Sequence, residues 1–197
     1  MVIYAIRHGQ TDWNAERRLQ GQKNIDINAT GRRQARDNGL ALAEIVGDEA
    51  GAFDFVSSPL ARTRETMEII RAAMGLPAQG YRTDERLVEV SFGAWEGSTL
   101  KEIKAEQADR LEERKRAKWD FIPPGEDAES YEILSWRVGA WLQSVERPTV
   151  CVTHGGVMRA LFRLIADIPK EDAADIEIWQ DRILKIDLDW KIIGWIE

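Results

Sequence analysis

The chain has 197 residues, 44% of them hydrophobic, so it holds enough apolar material for one sizeable core. Its formal net charge of −7 argues against a general binder of nucleic acid or anionic membranes, because both require a cationic surface. No apolar run approaches the length of a membrane span, and Met1 leads into a predicted strand rather than a signal sequence. We expect one domain over residues 1–197, in the cytoplasm, with neither nucleic acid nor membrane as partner.

The first half of the chain predicts two strands, each followed by a helix. Residues 2–6 form the first strand, and after a polar loop Asn28 can cap a helix. Residues 53–56 form the second strand, and the helix after Pro59 ends before Pro77. The predicted apolar faces carry Ala35, Leu42, Ile45 and Val46 in the first helix and Leu60, Met67, Ile70 and Met74 in the second.

The second half predicts charged helical structure, a third core strand and a β-rich tail. Residues 99–118 carry charges of both signs at helical spacing, which is typical of a solvated face. Asp127 can cap an amphipathic helix, and residues 149–153 form a buried strand. The apolar face of the helix before that strand holds Tyr131, Leu134, Val138, Trp141, Leu142 and Val145. The apolar face of the helix after it holds Val157, Leu161, Leu164 and Ile165.

The tail, residues 176–195, predicts two or three strands with a pair around residues 187–191, and it is a candidate edge for a homodimer. The single cysteine, Cys151, lies in a strand and is expected to be a small buried hydrophobe with no disulfide partner. Helices that alternate with short buried strands favour an α/β fold with a mostly parallel sheet, in which ligands bind beyond the carboxyl ends of the strands.

The only two histidines occupy matching positions in this pattern. His8 and His154 each follow an apolar strand and precede a glycine, and the segment 57–62 also follows a strand. A mostly parallel sheet therefore brings all three to one edge.

The residue types gathered at this edge suit a phosphate. Arg7 and Arg62 offer planar charged forks, and the glycines after the histidines allow backbone amides to approach closely. A neutral imidazole can attack phosphorus without a separate base, and His8 is the better nucleophile candidate. Glu89 is the candidate acid for protonating the leaving alkoxide, with Glu96 as its rival, and Arg64 is the rival of Arg62.

Five segments in order resemble the histidine phosphatase superfamily, whose members are phosphoglycerate mutase-like: Arg7-His-Gly-Gln-Thr-Asp-Trp-Asn14, Arg18-Leu-Gln-Gly21, Ser57-Ser-Pro-Leu-Ala-Arg-Thr-Arg-Glu-Thr66, Leu87-Val-Glu-Val-Ser-Phe-Gly-Ala-Trp-Glu-Gly97 and Thr153-His-Gly-Gly-Val157. The resemblance implies a three-layer α/β/α fold with a helical cap segment at about residues 99–125.

The resemblance also assigns roles position by position. It makes His8 the residue that forms a phosphohistidine, Glu89 the proton donor, and Arg7, Arg62 and His154 the phosphoryl pocket. It implies no metal and no cofactor. Further contacts to phosphate or substrate are implied for Asn14, Gln20, Gly21 and Gly155.

Phosphatase and mutase share the phosphohistidine step, so other features must separate them. Glycolytic mutases of this superfamily are longer and carry a basic insertion that holds a substrate carboxylate. Here Arg110, Arg114, Lys115 and Arg116 alternate with acidic residues, and the tyrosine-containing stretch of the mutases is replaced by residues 90–95. We expect a metal-independent phosphatase acting on a small-molecule phosphate monoester. A cofactor-dependent mutase-type phosphotransferase and a non-catalytic phospho-ligand-binding module are the alternatives.

Overall fold

A computed structural model describes residues 1–196 and contains a six-stranded sheet. The sheet order is β3-β2-β4-β1-β5-β6. The first four strands in that order are mutually parallel; β5 runs antiparallel to β1, and β6 runs antiparallel to β5. The predicted domain ends at residue 197, which lies outside the described residues. The strands are β1 (Val2–Arg7), β2 (Asp54–Ser57), β3 (Arg82–Thr83), β4 (Thr149–Thr153), β5 (Ile183–Asp187) and β6 (Ile192–Trp195).

Eight α-helices lie within the described part of the chain, and three short 3₁₀ segments accompany them. The 3₁₀ segments are Gly47–Ala52, Glu85–Leu87 and Gly93–Trp95. The helices are α1 (Asp12–Ala15), α2 (Ala29–Val46), α3 (Ala61–Ala73), α4 (Leu100–Glu106), α5 (Ala108–Arg116), α6 (Tyr131–Gln143), α7 (Gly155–Ala166) and α8 (Lys170–Asp175).

The two faces of the sheet bury alternate residues of each strand. Tyr4 and Ile6 of β1 pack in one cluster with apolar residues of α2 and α3. Ile3 and Ala5, which point the other way, pack with α6 and α7. Because side chains alternate along a strand, one apolar run supplies both cores. The predicted three-layer α/β/α fold with a mostly parallel sheet is confirmed.

The strand register brings the ends of β1, β2 and β4 level. Arg7 pairs with Thr153, and Ser57 pairs with Val152. One residue further on, the His8 N–H donates to the Thr153 carbonyl at 2.9 Å, and the Ser58 N–H donates to the Val152 carbonyl at 3.0 Å. The backbone hydrogen bonds between the strands therefore continue as far as His8 and Ser58, the first polar residues beyond β1 and β2.

A third apolar cluster lies under α4 and α5. Trp95 is 1% exposed and packs with Ile103 and Leu111, and its ring stacks on Phe121 at 5.3 Å between centroids. The Thr99 side chain and Glu102 form a capping box that starts α4. The segment 99–118, predicted as charged helical structure, thus forms two short helices that are joined at Gln107 and anchored by this cluster.

Several predicted details differ from the structure. The helix expected after Asp127 begins instead at Tyr131, where the Ser130 hydroxyl accepts a hydrogen bond from the Ile133 N–H. Asp127 has φ 58°, a turn conformation that cannot serve as an N-cap. Ile45 and Leu164 are exposed rather than buried, at 38% and 41%. Sequence patterns also missed α1, β3 and α8, because elements of two to six residues show too few periods to be recognised.

The tail forms the predicted pair, with β5 and β6 joined by a turn at residues 188–191. Cys151 is fully buried in β4, as expected. Within residues 1–196, no helix combines the length and apolarity that crossing a membrane requires.

Candidate active site

His8 lies one residue beyond β1 and is 3% exposed. Its Nδ1 is 2.8 Å from the carbonyl oxygen of Gly9. A carbonyl can only accept, so Nδ1 carries the hydrogen and donates it. In the neutral ring the lone pair is then on Nε2, which is the nitrogen able to act as a nucleophile.

His154 lies directly before α7 and is fully buried. Its ring centroid is 5.3 Å from that of His8, and its Nε2 is 2.8 Å from the Ser58 hydroxyl. The Nδ1 atom has no hydrogen-bond partner among the described residues. The serine at the end of β2 therefore orients the second imidazole beside the first.

Both imidazoles are held in the neutral state. Burial lowers the pKa of His8 well below 6.5, and the positive charges of Arg62 and Arg7 lower it further. Burial also lowers the pKa of His154, with Arg62 and the neighbouring His8 acting in the same direction. A neutral imidazole retains its nucleophilic lone pair, so the environment favours nucleophilic chemistry at ordinary pH.

Arg7 and Arg62 extend into the same place from β1 and α3. Arg62 donates from Nη1 to the Lys23 carbonyl at 2.6 Å and from Nη2 to the Gly21 carbonyl at 2.7 Å. Arg7 donates to the Ile178 carbonyl at 2.8 Å. Burial lowers the pKa of each guanidinium to about 10, so both stay charged at neutral pH. The Nε atoms of both are buried without a partner among the described residues.

Glu89 lies in the loop after the 3₁₀ segment 85–87, and its carboxylate contacts the start of α7, two residues after His154. The Gly156 amide, near the start of α7, donates to both carboxylate oxygens at 3.0 and 3.1 Å, and the Val90 amide donates to Oε1 at 2.9 Å. Glu96, its rival, instead accepts backbone amides of Gln22 and Phe92 at 2.9 and 3.2 Å and braces the loop there.

These groups meet at a cavity of about 220 Å³. A wider depression of about 480 Å³ between α6 and α7 contains neither histidine. His154 lies behind the first cavity and is not among its lining residues. The residues that line the 220 Å³ cavity are Arg7, His8, Asn14, Arg18, Leu19, Gln20, Gly21, Arg62, Glu89, Phe92, Arg114, Lys118, Tyr131, Gly155 and Arg159.

All four residues expected to make further contacts line the cavity. The Asn14 Oδ1 accepts from the Thr11 amide and from Gln180 Nε2, both at 3.1 Å, so its amide nitrogen is the end left to face a ligand. Gln20 is 7% exposed, and its Oε1 has no partner in residues 1–196. Gly21 supplies the carbonyl that orients Arg62. The predicted alternative Arg64 is exposed to solvent.

Sequence reasoning missed the far side of the cavity, which we call the outer wall: Arg114, Lys118, Tyr131 and Arg159. The expectation of a solvated face holds for Arg110 and Lys115, which form exposed ion pairs with Glu113 and Glu112. It is wrong for Arg114 and Lys118, which are half-buried and border the cavity.

One signal for the outer wall was present in the sequence. Arg159 follows Gly155 by four residues, so both lie on one face of α7. Burial lowers the pKa of Arg114, and the like charge of Arg159 contributes to that lowering. The outer wall is therefore a concentration of positive charge. We call the opposite side, formed by Arg7, His8, Arg62 and Glu89 together with His154 behind them, the inner pocket.

The tail segment 174–180 connects the inner pocket to the outer wall. The carbonyls of Ala174, Ile176 and Ile178 accept hydrogen bonds from Lys118, Arg159 and Arg7 at 2.7, 3.0 and 2.8 Å. Lys118 also pairs with Asp175 at 2.6 Å. At the end of the segment, Gln180 donates to the His8 carbonyl at 3.0 Å. Carbonyls two residues apart, from the last turn of α8 into the segment that follows it, thus hold three of the cavity's cations in position.

The arrangement combines an imidazole, a carboxyl group and positive charge around one small cavity. Within residues 1–196, no three His, Cys, Asp or Glu side chains are grouped to hold a metal ion. The positive charge that faces the cavity comes from arginine and lysine side chains. Such a site suits an anion whose charge grows or shifts during reaction.

The family model for the histidine phosphatase superfamily (branch 1) matches residues 3–190. The chain therefore belongs to the histidine phosphatase superfamily, as its motifs indicated. Members of this superfamily are phosphatases or mutases.

Among the proteins similar to this chain, some are named mutases and others phosphatases. “Probable phosphoglycerate mutase GpmB” of Shigella dysenteriae serotype 1 is 32% identical over 206 residues, an alignment that covers all of this chain and 90% of that protein. The crystal structure of TTHB049 from Thermus thermophilus is 28% identical, with a TM-score of 0.76 and coverage of 100% and 99%. A phosphoserine phosphatase from Entamoeba histolytica in complex with phosphoserine shares the fold at 20% identity, with a TM-score of 0.78 and coverage of 100% and 95%.

Proposed function

We propose that this protein is a metal-independent phosphatase that hydrolyses small phosphate monoesters through a phosphohistidine on His8. In the first step, Nε2 of His8 attacks phosphorus and the ester P–O bond breaks. Glu89, protonated, gives its proton to the leaving alkoxide. In the second step, water attacks phosphorus while the Glu89 carboxylate takes its proton, the P–N bond breaks, and His8 regains its lone pair.

The remaining residues of the inner pocket bind the phosphoryl group. Arg7, Arg62 and His154 contact its non-bridging oxygens and stabilise the charge that they carry in the transition state. Asn14, Gln20, Gly21 and Gly155 border the bound phosphate or the substrate beyond it.

One observation carries this proposal. Two buried guanidinium groups each keep a buried Nε donor without a partner in the described chain, beside imidazoles that burial keeps neutral. Buried donors cost free energy when unpaired, so the arrangement supports a bound anion that completes them. A neutral imidazole adjacent to that anion supports attack on phosphorus.

The outer wall supports a more specific substrate class. Six cationic side chains and one carboxylate are among the described residues that line the cavity, which is more positive charge than one phosphoryl group uses. We propose that the substrate is a phosphate monoester bearing a second acidic group, which contacts Arg114 and Arg159. The half-buried position of Arg114 strengthens such a contact.

The name of the GpmB relative favours one alternative, a mutase-type phosphotransferase that returns the phosphoryl group to a second hydroxyl. The same outer wall would hold the bisphosphate that such a reaction needs. A non-catalytic phospho-ligand module is the remaining alternative, although binding alone requires the arginines and not a nucleophile with an acid.

The test is phosphate release in EDTA from p-nitrophenyl phosphate and from phosphate esters with and without a carboxylate. His8→Ala is assayed in parallel, and 3-phosphoglycerate with bisphosphoglycerate serves as the mutase assay. We expect chelator-resistant hydrolysis that His8→Ala abolishes, fastest with the acidic esters.

The other outcomes contradict specific parts of the proposal. Isomerisation of 3-phosphoglycerate without phosphate release would establish the mutase instead. Loss of activity in EDTA that added divalent metal restores would contradict the metal-independent mechanism. Tight binding of phosphate esters without turnover would favour the binding module.

A further inference from the structure

Arg137 on α6 uses all of its N–H donors to bind Glu129 and the backbone of the loop that carries Glu89. Its five N–H groups make five hydrogen bonds. Two go to the Glu129 carboxylate, at 3.0 Å from Nε and 2.9 Å from Nη2. The other three go to backbone carbonyls of residues 86, 88 and 89, at 2.9 Å for Arg86 and 3.0 Å for Glu89.

Glu129 binds the same loop at Ser91, two residues after Glu89. Its Oε2 accepts the Ser91 amide at 3.1 Å, and its own amide donates to the Ser91 carbonyl at 3.0 Å. The Arg137 and Glu129 side chains are 21% and 16% exposed, and the bidentate geometry fixes their relative orientation. The pair therefore holds both sides of the backbone that carries Glu89.

Glu89 is consequently held at both ends. Its carbonyl accepts from Arg137 and, at 3.1 Å, from Gln22 Nε2, while its carboxylate accepts from Gly156. Arg137 does not line the cavity. Because the Val90 amide of the same loop donates to Glu89 Oε1 at 2.9 Å, a shift of this backbone moves the carboxyl group relative to the substrate oxygen.

We infer that Arg137, oriented by Glu129, is a positioning residue for the proton transfer by Glu89. This inference rests on the proposed function, in which Glu89 protonates the leaving group. A misplacement of about 1 Å in a catalytic group costs on the order of 10²-fold in rate. The ion pair thus serves the acid specifically, in addition to stabilising the loop.

The test compares leaving groups. A p-nitrophenolate leaves without a proton, whereas the alkoxide of an alkyl phosphate such as glycerol phosphate requires one. We measure kcat/KM, which reports on the phosphorylation step, for both substrates in Arg137→Lys and Glu129→Gln. We expect kcat/KM to fall on the order of 10²-fold for the alkyl phosphate and to change little for p-nitrophenyl phosphate.

Arg86→Lys is the matched control. Arg86 also connects this loop to α6, donating to the Ala140 carbonyl at 3.0 Å, but the hydrogen bonds of its side chain go to Asp84, Ala140 and Ser144 and not to residues 88–91. We expect no leaving-group dependence in that variant. Equal losses for both substrates in Arg137→Lys and Glu129→Gln would overturn the inference, because they indicate a general structural role.

Glu89→Gln separates this inference from the proposed function. If Glu89→Gln shows no leaving-group dependence, the proposed acid role fails and the inference fails with it. If Glu89→Gln shows the dependence and the two positioning variants do not, only the inference is overturned. In the double variant, Arg137→Lys should add no further leaving-group effect to Glu89→Gln, because both act on one proton transfer.

Discussion

The inner pocket and the outer wall face one cavity but are built differently. The inner pocket comes mainly from residues at strand ends, and its histidines and Arg62 are almost fully buried. The outer wall comes from α5, the turn after it, the start of α6 and α7, and its Arg114 and Arg159 are half-buried. Under the proposed function, the sheet positions the residues of the phosphoryl chemistry, and the more accessible side chains of the outer wall bind the rest of the substrate.

The largest expected effect falls on the inner pocket. Replacing the nucleophile in His8→Ala should lower kcat by on the order of 10⁴- to 10⁶-fold, because no phosphohistidine can form. Rapid acid-free quenching during turnover should trap a phosphorylated protein in the unaltered enzyme and none in the variant. A variant that retained the phosphorylated species would show that another residue is the nucleophile.

A second change displaces the acid without removing it. A Cβ added at Gly156 would lie 2.2 Å from Glu89 Oε1, so Gly156→Ala must move that carboxylate. We expect kcat/KM for alkyl phosphates to fall on the order of 10²-fold.

Gly139→Ala in α6 is the matched control for that change, since its Cβ would meet only Leu164 Cδ1, at 3.8 Å. The control should retain activity and gain up to about 1 kcal/mol of stability from the improved helix propensity. Unaltered activity in Gly156→Ala would contradict the placement of Glu89 as the acid.

A smaller and selective effect is expected at the outer wall. Arg114→Ala should raise KM for phosphate esters with a second acidic group by roughly ten- to hundredfold, the value of a charged hydrogen bond, and leave p-nitrophenyl phosphate almost unchanged. Lys115→Ala, in an exposed neighbour, is the control. A similar rise in KM for all substrates would mean that the outer wall does not distinguish them.

The smallest effect is a pH dependence of stability. The folded protein keeps both imidazoles neutral, whereas the unfolded chain protonates them as the pH falls below about 6.5. The free energy of unfolding should therefore be fully retained above that pH and decrease below it, by up to about 1.4 kcal/mol per pH unit for each histidine.

Denaturant unfolding between pH 7 and 5 measures this dependence, and His8→Ala should show a shallower slope because one of the two groups is removed. Histidine NMR titration gives a direct readout, since the chain has only two histidines. An imidazole that titrates near 6.5 in the folded protein would contradict the lowered pKa.

Short-range patterns predicted where the two histidines lie, because a strand and its end are defined by a few consecutive residues. A buried strand that ends in a polar residue and glycine positions that residue at the sheet edge whatever the rest of the chain does, as His8 and His154 show. The caps show the limit of such patterns. Asp127 and Ser130 both suit an N-cap, and only the backbone conformation of the loop selects Ser130.

The sequence alone determined the α/β class, the motifs of the superfamily and the histidines, arginines and acid that meet at the sheet edge. Only the tertiary structure decided which charges of α5 face the cavity, that residues 174–180 hold the cations in place, and that Arg137 and Glu129 bind the loop of Glu89. The physical reason is the separation along the chain over which each kind of interaction acts. Periodicity and capping act over a few residues, whereas these contacts join segments that are far apart in the chain and meet only after the layers pack.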